Sequence, residues 1–204
     1  MNKITITRPD DWHLHLRDGE VLPDLVAHTA RQFTRALVMP NLRPPVTQVA
    51  QALSYRSRIQ EAALSMGYPE FQALMTLYLT DMTLPSEIEK AKEAGIMGVK
   101  LYPAGATTNS DAGVTDLNKC DVTIAKMAEL NMPLLVHGEV THSVIDIFDR
   151  EAAFIEQVLE PLRQKHPKLR VVFEHITTKQ AANYVSQANT KDYGEIAATI
   201  TAHH

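Results

Sequence analysis

Pro133-Leu134-Leu135-Val136-His137-Gly138-Glu139 is a short apolar run that closes on a histidine and then turns polar. Leu169-Arg170-Val171-Val172-Phe173-Glu174-His175 repeats the pattern, and Gly98-Val99-Lys100-Leu101-Tyr102-Pro103 sets a lysine inside a third such run. Apolar runs of this length, separated by longer amphipathic segments, read as strands of a parallel sheet covered by helices. Strands are expected at 13–16, 36–39, 73–79, 98–102, 133–137, 169–175 and 196–201. Helices are expected at 22–31, 49–65, 85–94, 117–130, 151–165 and 179–188. Pro85, with Glu87 and Glu89 behind it, marks a helix start, and Gly95 its stop. Phe154, Ile155, Val158 and Leu162 fall at helical spacing and read as one core-facing stripe.

Strand–helix alternation fits either an open doubly wound sheet or a closed (β/α)8 barrel. No Gly-x-Gly-x-x-Gly follows the first strand and no phosphate-cradling loop occurs, which weakens the open nucleotide-binding sheet. Polar residues instead gather at the C-terminal ends of the strands. His13 and His15 end the first, Asn41 follows the second, Lys100 and Tyr102 end the fourth, His137 the fifth and His175 the sixth. A barrel brings all of these to one mouth, where barrel enzymes place their chemistry. The expected fold is therefore α/β, a TIM-type (β/α)8 barrel. Seven strands are counted where the closed barrel has eight, and such barrels usually run to about 250 residues. With 204 residues the chain reads as a single barrel domain over 1–204, incomplete at its C-terminus.

Apolar content of 45%, charged content of 22% and a net charge of −4 are ordinary for a soluble globular protein and leave no basic footprint for nucleic acid. One cysteine, Cys120, excludes an internal disulfide and fits a reducing cytosol. No stretch approaches the roughly 20 apolar residues of a membrane span, so a cytoplasmic location is expected.

The chemistry starts at Trp12-His13-Leu14-His15-Leu16-Arg17-Asp18. Residues i and i+2 of a strand share a face, so two imidazoles aim into one space, and imidazole is the commonest metal ligand. His137 and His175 stand at matching strand ends, which makes a metal site the preferred reading over four separately buried histidines. Lys100 lies within an apolar strand, where burial lowers a lysine's pKa and exposes a neutral, nucleophilic amine. Such an amine can capture carbon dioxide as a carbamate, a two-oxygen ligand able to bridge two metals. Nitrogen and carboxylate-like ligands without thiolate suit Zn²⁺. Arg17 offers a planar fork for a carboxylate and Asn41 both a donor and an acceptor. Residues 103–113, small and rich in hydroxyls, follow the Lys100 strand and read either as a mobile lid or as an ordinary surface loop.

Asp10-Asp11-Trp12-His13-Leu14-His15-Leu16-Arg17-Asp18-Gly19, Met39-Pro40-Asn41, Val99-Lys100-Leu101-Tyr102-Pro103-Ala104, Leu135-Val136-His137-Gly138-Glu139 and Phe173-Glu174-His175-Ile176-Thr177-Thr178-Lys179 together resemble the amidohydrolase superfamily, and within it the dihydroorotases of the shorter bacterial type. The similarity runs from about Arg8 to the last residue. The resemblance implies reversible interconversion of L-dihydroorotate and N-carbamoyl-L-aspartate in pyrimidine synthesis, by a cytoplasmic homodimer with two zinc ions per subunit. It implies His13 and His15 on one metal, His137 and His175 on the other, and carboxylated Lys100 as the bridge. Arg17 and Asn41 would hold the substrate carboxylate, and Thr107 and Thr108 match the family's lid threonines.

The family also places a proton-shuttling aspartate at the end of the eighth strand, and no acidic residue here occupies an equivalent position. No general base is therefore assigned, and the 204-residue chain is expected to hold metal poorly and turn over little. Two other readings stay open: a different cyclic-amide hydrolase such as a hydantoinase or allantoinase, and a non-catalytic barrel relative acting as a binding or assembly subunit. His28, His142, His166, His203 and His204 receive no role from the sequence.

Overall fold

The computed structural model describes residues 3–202; His203 and His204 lie outside the described residues. Seven parallel strands form one sheet in sequence order. They are β1 (Asp11–Leu14), β2 (Arg35–Val38), β3 (Gln72–Tyr78), β4 (Gly98–Leu101), β5 (Leu134–His137), β6 (Val171–Glu174) and β7 (Ile196–Ala198). Helices α1 (Leu22–Ala30), α2 (Val49–Ser65), α3 (Pro85–Glu93) and α4 (Asp121–Glu129) follow β1 to β4 in turn. Short helices α5 (Arg150–Phe154) and α6 (Glu160–Lys165) lie between β5 and β6, and α7 (Lys179–Ser186) precedes β7. The sheet curls strongly: His13 of β1 reaches Glu174 of β6 at 2.7 Å although four strands stand between them in sheet order. The structure is thus the expected α/β barrel architecture with seven strands. No described helix is long and apolar enough to cross a membrane.

Most of the core lies between strands and helices, where Val38, Met75, Leu77, Val99, Leu134, Val136, Val171 and Phe173 are buried against Val26, Ile59, Ile88, Ile124 and Leu159. A second, smaller cluster of Leu37, Met39 and Leu135, with Leu74 and Val172 beside it, fills the concave side. Strand alternation puts the next inward positions at Thr76, Lys100, His137 and Glu174. The concave side thus changes from aliphatic at the N-terminal end of the strands to polar at the C-terminal end.

Three expected elements differ in instructive ways. The first strand is Asp11–Leu14, not 13–16, and its pairing with β2 slips by one residue: Asp11 faces Ala36 and Leu14 faces Val38. The bulge frees a backbone N–H, which His13 donates to Asp11 Oδ1 at 2.9 Å. The expected helix over 151–165 is broken by a π-helical turn at Ile155–Leu159. Pro161 explains it: proline has no N–H to return to the carbonyl of Gln157, and its ring crowds that carbonyl, so the backbone widens there. The turn buries Leu159 fully and leaves Val158 of the expected stripe only half-buried. The sixth strand stops at Glu174 because His175 turns into the left-handed region at φ +43. The helix expected over 85–94 starts at Pro85, and Gly95, at φ +72, follows its last turn as the sequence indicates.

Candidate metal centre

His13 and His15 come together at the C-terminal mouth, Nε2 to Nε2 at 3.1 Å. His13 turns Nδ1 to Glu174 Oε2 at 2.7 Å, with only 4% of its side chain and 0% of Glu174's exposed. An ionised carboxylate only accepts, so His13 Nδ1–H donates and Nε2 is left as a bare lone pair. His15 Nδ1 lies 2.7 Å from Asn41 Oδ1, and Asn41 Nδ2 donates to the carbonyl of Thr108 at 3.2 Å. That second bond fixes the Asn41 oxygen toward His15, so His15 also presents a bare Nε2. Two imidazole lone pairs facing each other at this distance call for a shared electrophile. The spacing is close to the ~3.4 Å that two nitrogens about 2.0–2.1 Å from one tetrahedral zinc adopt.

The second pair is built from β5 and the residue after β6. His137 Nδ1 stands 3.2 Å from His175 Nε2, while His137 Nε2 lies 3.3 Å from Glu139 Oε2. The two pairs are neighbours, with the His13 and His175 ring centroids 5.1 Å apart. Lys100 is fully buried at 0% exposure, and its Nζ has no hydrogen-bond partner among the described residues. It lies over the face of Tyr102, 5.2 Å from Nζ to the ring centroid. Burial pushes the Lys100 ammonium down to about 8, partly offset by the Glu174 carboxylate. Glu174 Oε1 is likewise buried and has no hydrogen-bond partner among the described residues. Burial works against the Glu174 charge, but Lys100, His13 and Thr199 outweigh it and hold the carboxyl below its usual range. The His15 imidazole is pushed down to about 3 by packing at the mouth and by the charges of His13, Lys100 and Arg17, though one edge of the residue stays open to solvent.

The donor set therefore fits divalent metal: imidazoles paired at two places on the mouth, inward Nε2 lone pairs on His13 and His15, and a buried amine with no hydrogen-bond partner among the described residues. Among the described residues, no group of three or more His, Cys, Asp and Glu side chains converges as a metal cage by itself. Each histidine pair needs a further ligand, and buried Lys100, whose charge acts on His15, is one polar group near the first pair.

Arg17 is exposed, rests Nη1 on the carbonyl of Leu16 at 3.2 Å, and lines a cleft with Arg43, Pro44 and Asn109. Asn41 is buried and fully engaged, with one side-chain atom on His15 and the other on Thr108. Thr107 and Thr108 are exposed in a loop organised by buried Ser110, whose hydroxyl donates to the Thr107 carbonyl and accepts from its N–H. The loop is tied to the site on the far side as well, since Asn109 Nδ2 donates to the Asn41 carbonyl at 3.0 Å. His142 is exposed and lines a separate cleft with Val114, Glu139, Phe154 and Lys165. His166 bonds Asp121 at 2.9 Å, a helix-to-helix tie. The residue that sequence reading passed over is Glu174. Its signal was available: an acidic side chain at an inward position of an apolar strand, directly before a strand-end histidine.

Parallel strands whose C-terminal mouth gathers histidines place the chain among α/β-barrel proteins that work at that edge. Within that class the chain belongs to the amidohydrolase family, whose profile matches residues 6–202. It is 62% identical over 205 residues to the dihydroorotase of Ralstonia nicotianae, covering 100% of this chain and 58% of the relative. Against the dihydroorotase of Ralstonia pickettii it is 64% identical over 202 residues, 98% of this chain and 57% of the relative. The crystal structure of the Campylobacter jejuni dihydroorotase superposes with a TM-score of 0.84 at 40% identity, over 97% of this chain and 55% of that one. The Saccharomyces cerevisiae dihydroorotase, in complex with 5-fluoroorotic acid, gives 0.82 at 33% identity, over 96% and 56%. The chain thus spans 57–58% of the length of these curated relatives. An L-hydantoinase from Arthrobacter aurescens shares the fold at a TM-score of 0.72 but only 15% identity.

Proposed function

We propose that this chain carries the metal-holding part of a dihydroorotase, which interconverts L-dihydroorotate and N-carbamoyl-L-aspartate reversibly in pyrimidine synthesis. The observation that carries the reading is the pairing of histidine nitrogens at 3.1 and 3.2 Å, together with a fully buried Lys100 whose Nζ has no hydrogen-bond partner among the described residues. His13 and His15 would hold one zinc ion and His137 and His175 the other, with Lys100 as its carbamate between them. The chemistry such a pair supplies is polarisation of the attacked amide carbonyl and acidification of the attacking water.

The chain's own groups do the holding and orienting. Glu174 and Asn41 accept the Nδ1 protons of His13 and His15 and so fix both rings with Nε2 inward. Tyr78 and Tyr102 stack with centroids 4.9 Å apart and wall the buried side of Lys100 from water. Arg17 puts a permanent positive charge at the mouth, suited to a substrate that keeps a free carboxylate through ring opening. Thr107 and Thr108 stand on the loop that Asn41 tethers, placed to approach that substrate from above. The identities of 62% and 64% to dihydroorotases, against 15% to a hydantoinase, favour this substrate over a neutral cyclic amide. A cytoplasmic homodimer belongs to the same reading.

A substrate panel tests it. The protein that carries these residues should open L-dihydroorotate in preference to hydantoin and allantoin, and Lys100→Ala should abolish that turnover. Preference for hydantoin, or turnover unchanged in Lys100→Ala, would overturn the reading.

A further inference from the structure

Thr199 follows β7 directly and carries one hydroxyl that serves both halves of the centre. Its Oγ1 donates to Glu174 Oε2 at 2.5 Å, and Glu174 Oε2 in turn holds His13 Nδ1 at 2.7 Å. The same Oγ1 accepts the backbone N–H of His175 at 2.7 Å. His175 needs that partner because its backbone lies in the left-handed region at φ +43, outside the sheet ladder. The backbone of Thr199 is locked as well: its N–H donates to the Phe173 carbonyl at 3.1 Å and its carbonyl accepts from Ile176 at 3.1 Å. One hydroxyl thus sits between the carboxylate that aims His13 and the strained turn that aims His175.

We infer that Thr199 is a positioning residue for both metal sites, coupling the orientation of His13 to that of His175. The inference rests on the metal reading above and goes beyond it. A hydroxyl is required at this point because it must donate on one side and accept on the other; an isosteric methyl can do neither. Removing it leaves the Glu174 carboxylate, already carrying one oxygen unpartnered among the described residues, held through its other oxygen by His13.

The test is zinc binding by Thr199→Val and Thr199→Ser, measured by competition with a chromophoric chelator and by the rise in melting temperature that zinc produces. Loss of an outer partner of a metal ligand typically lowers metal affinity about 10–100-fold. Thr199→Val should show that loss for both ions and little zinc-induced rise in melting temperature, a readout separate from the fall in metal-free melting temperature that losing two buried hydrogen bonds produces. Thr199→Ser should recover binding. Should the valine variant fail to fold, Thr199→Ala removes the hydroxyl without adding a second methyl and carries the same expectation. A valine or alanine variant that binds zinc as the parent does overturns the role of Thr199 alone. All variants are compared within the protein that carries these residues, as in the substrate panel, and failure of that parent protein to bind zinc overturns the metal reading beneath it.

Discussion

At the scale of single residues, the candidate ligands were legible in the sequence and the groups that hold them were not. His13, His15, His137, His175 and Lys100 stand out because each is polar at a position where the strand pattern demands apolar. Glu174 satisfies the same criterion but sits beside a histidine that drew the attention. Thr199 could not be singled out, because threonine is common in strands and its value comes from a partner 25 residues away. Gly138 illustrates a further constraint that only packing reveals: a Cβ there would lie 1.8 Å from Cε2 of fully buried Phe173. Gly138→Ala should therefore destabilise the protein by about 1–3 kcal/mol, the usual range for overpacking. Denaturant unfolding measures it, and adding Phe173→Leu should restore part of the loss; an unchanged midpoint would show that the Phe173 ring has room to move.

At the scale of elements, the strand order, the helix positions and even the ends of α2 follow from periodicity. What periodicity could not supply is the local irregularity that aims the candidate ligands. Strict alternation pairs His13 with His15 on one face, yet β1 bulges and ends at Leu14, so His15 is held by Asn41 and not by the strand. The π turn likewise depends on Pro161 cancelling one backbone bond, a local event within a correct helical stripe. The loop over residues 103–113 gains its shape from Ser110, fully buried and bonded at both its hydroxyl and its backbone. Ser110→Ala should speed amide exchange at Thr107, whose N–H the hydroxyl accepts at 2.9 Å, and leave global melting little changed. Hydrogen exchange followed by mass spectrometry checks this; unaltered protection across the loop would mean the backbone turns suffice.

At the scale of the whole molecule, curling of the sheet is what makes a site of scattered residues, since it brings β1 against β6. The outer surface is held by ion pairs whose carboxylates sit below their ordinary values. Asp81, hydrogen-bonded by Lys119 and Thr115, is lowered from 3.8 to about 2, and Asp10, Asp18 and Asp121 are lowered by Arg35, Arg58 and Lys165. A carboxylate depressed in the folded state contributes stability in full above its unfolded pKa and loses it as pH falls through the folded one. For Asp81 that window runs from 3.8 down to about 2. Melting temperature should fall across it, and Asp81→Asn should start lower at neutral pH and lose less on acidification. Parallel melting curves for parent and variant would contradict the Asp81 part of this.

The arrangement of two histidine pairs about Lys100 is tested most directly by anomalous scattering at the zinc edge from crystals soaked in zinc and bicarbonate. One peak should lie between Nε2 of His13 and Nε2 of His15, a second between His137 and His175, and added density on Lys100 Nζ should reach both. Zinc bound elsewhere on the chain, with the two Nε2 atoms still 3.1 Å apart and nothing between them, would contradict it.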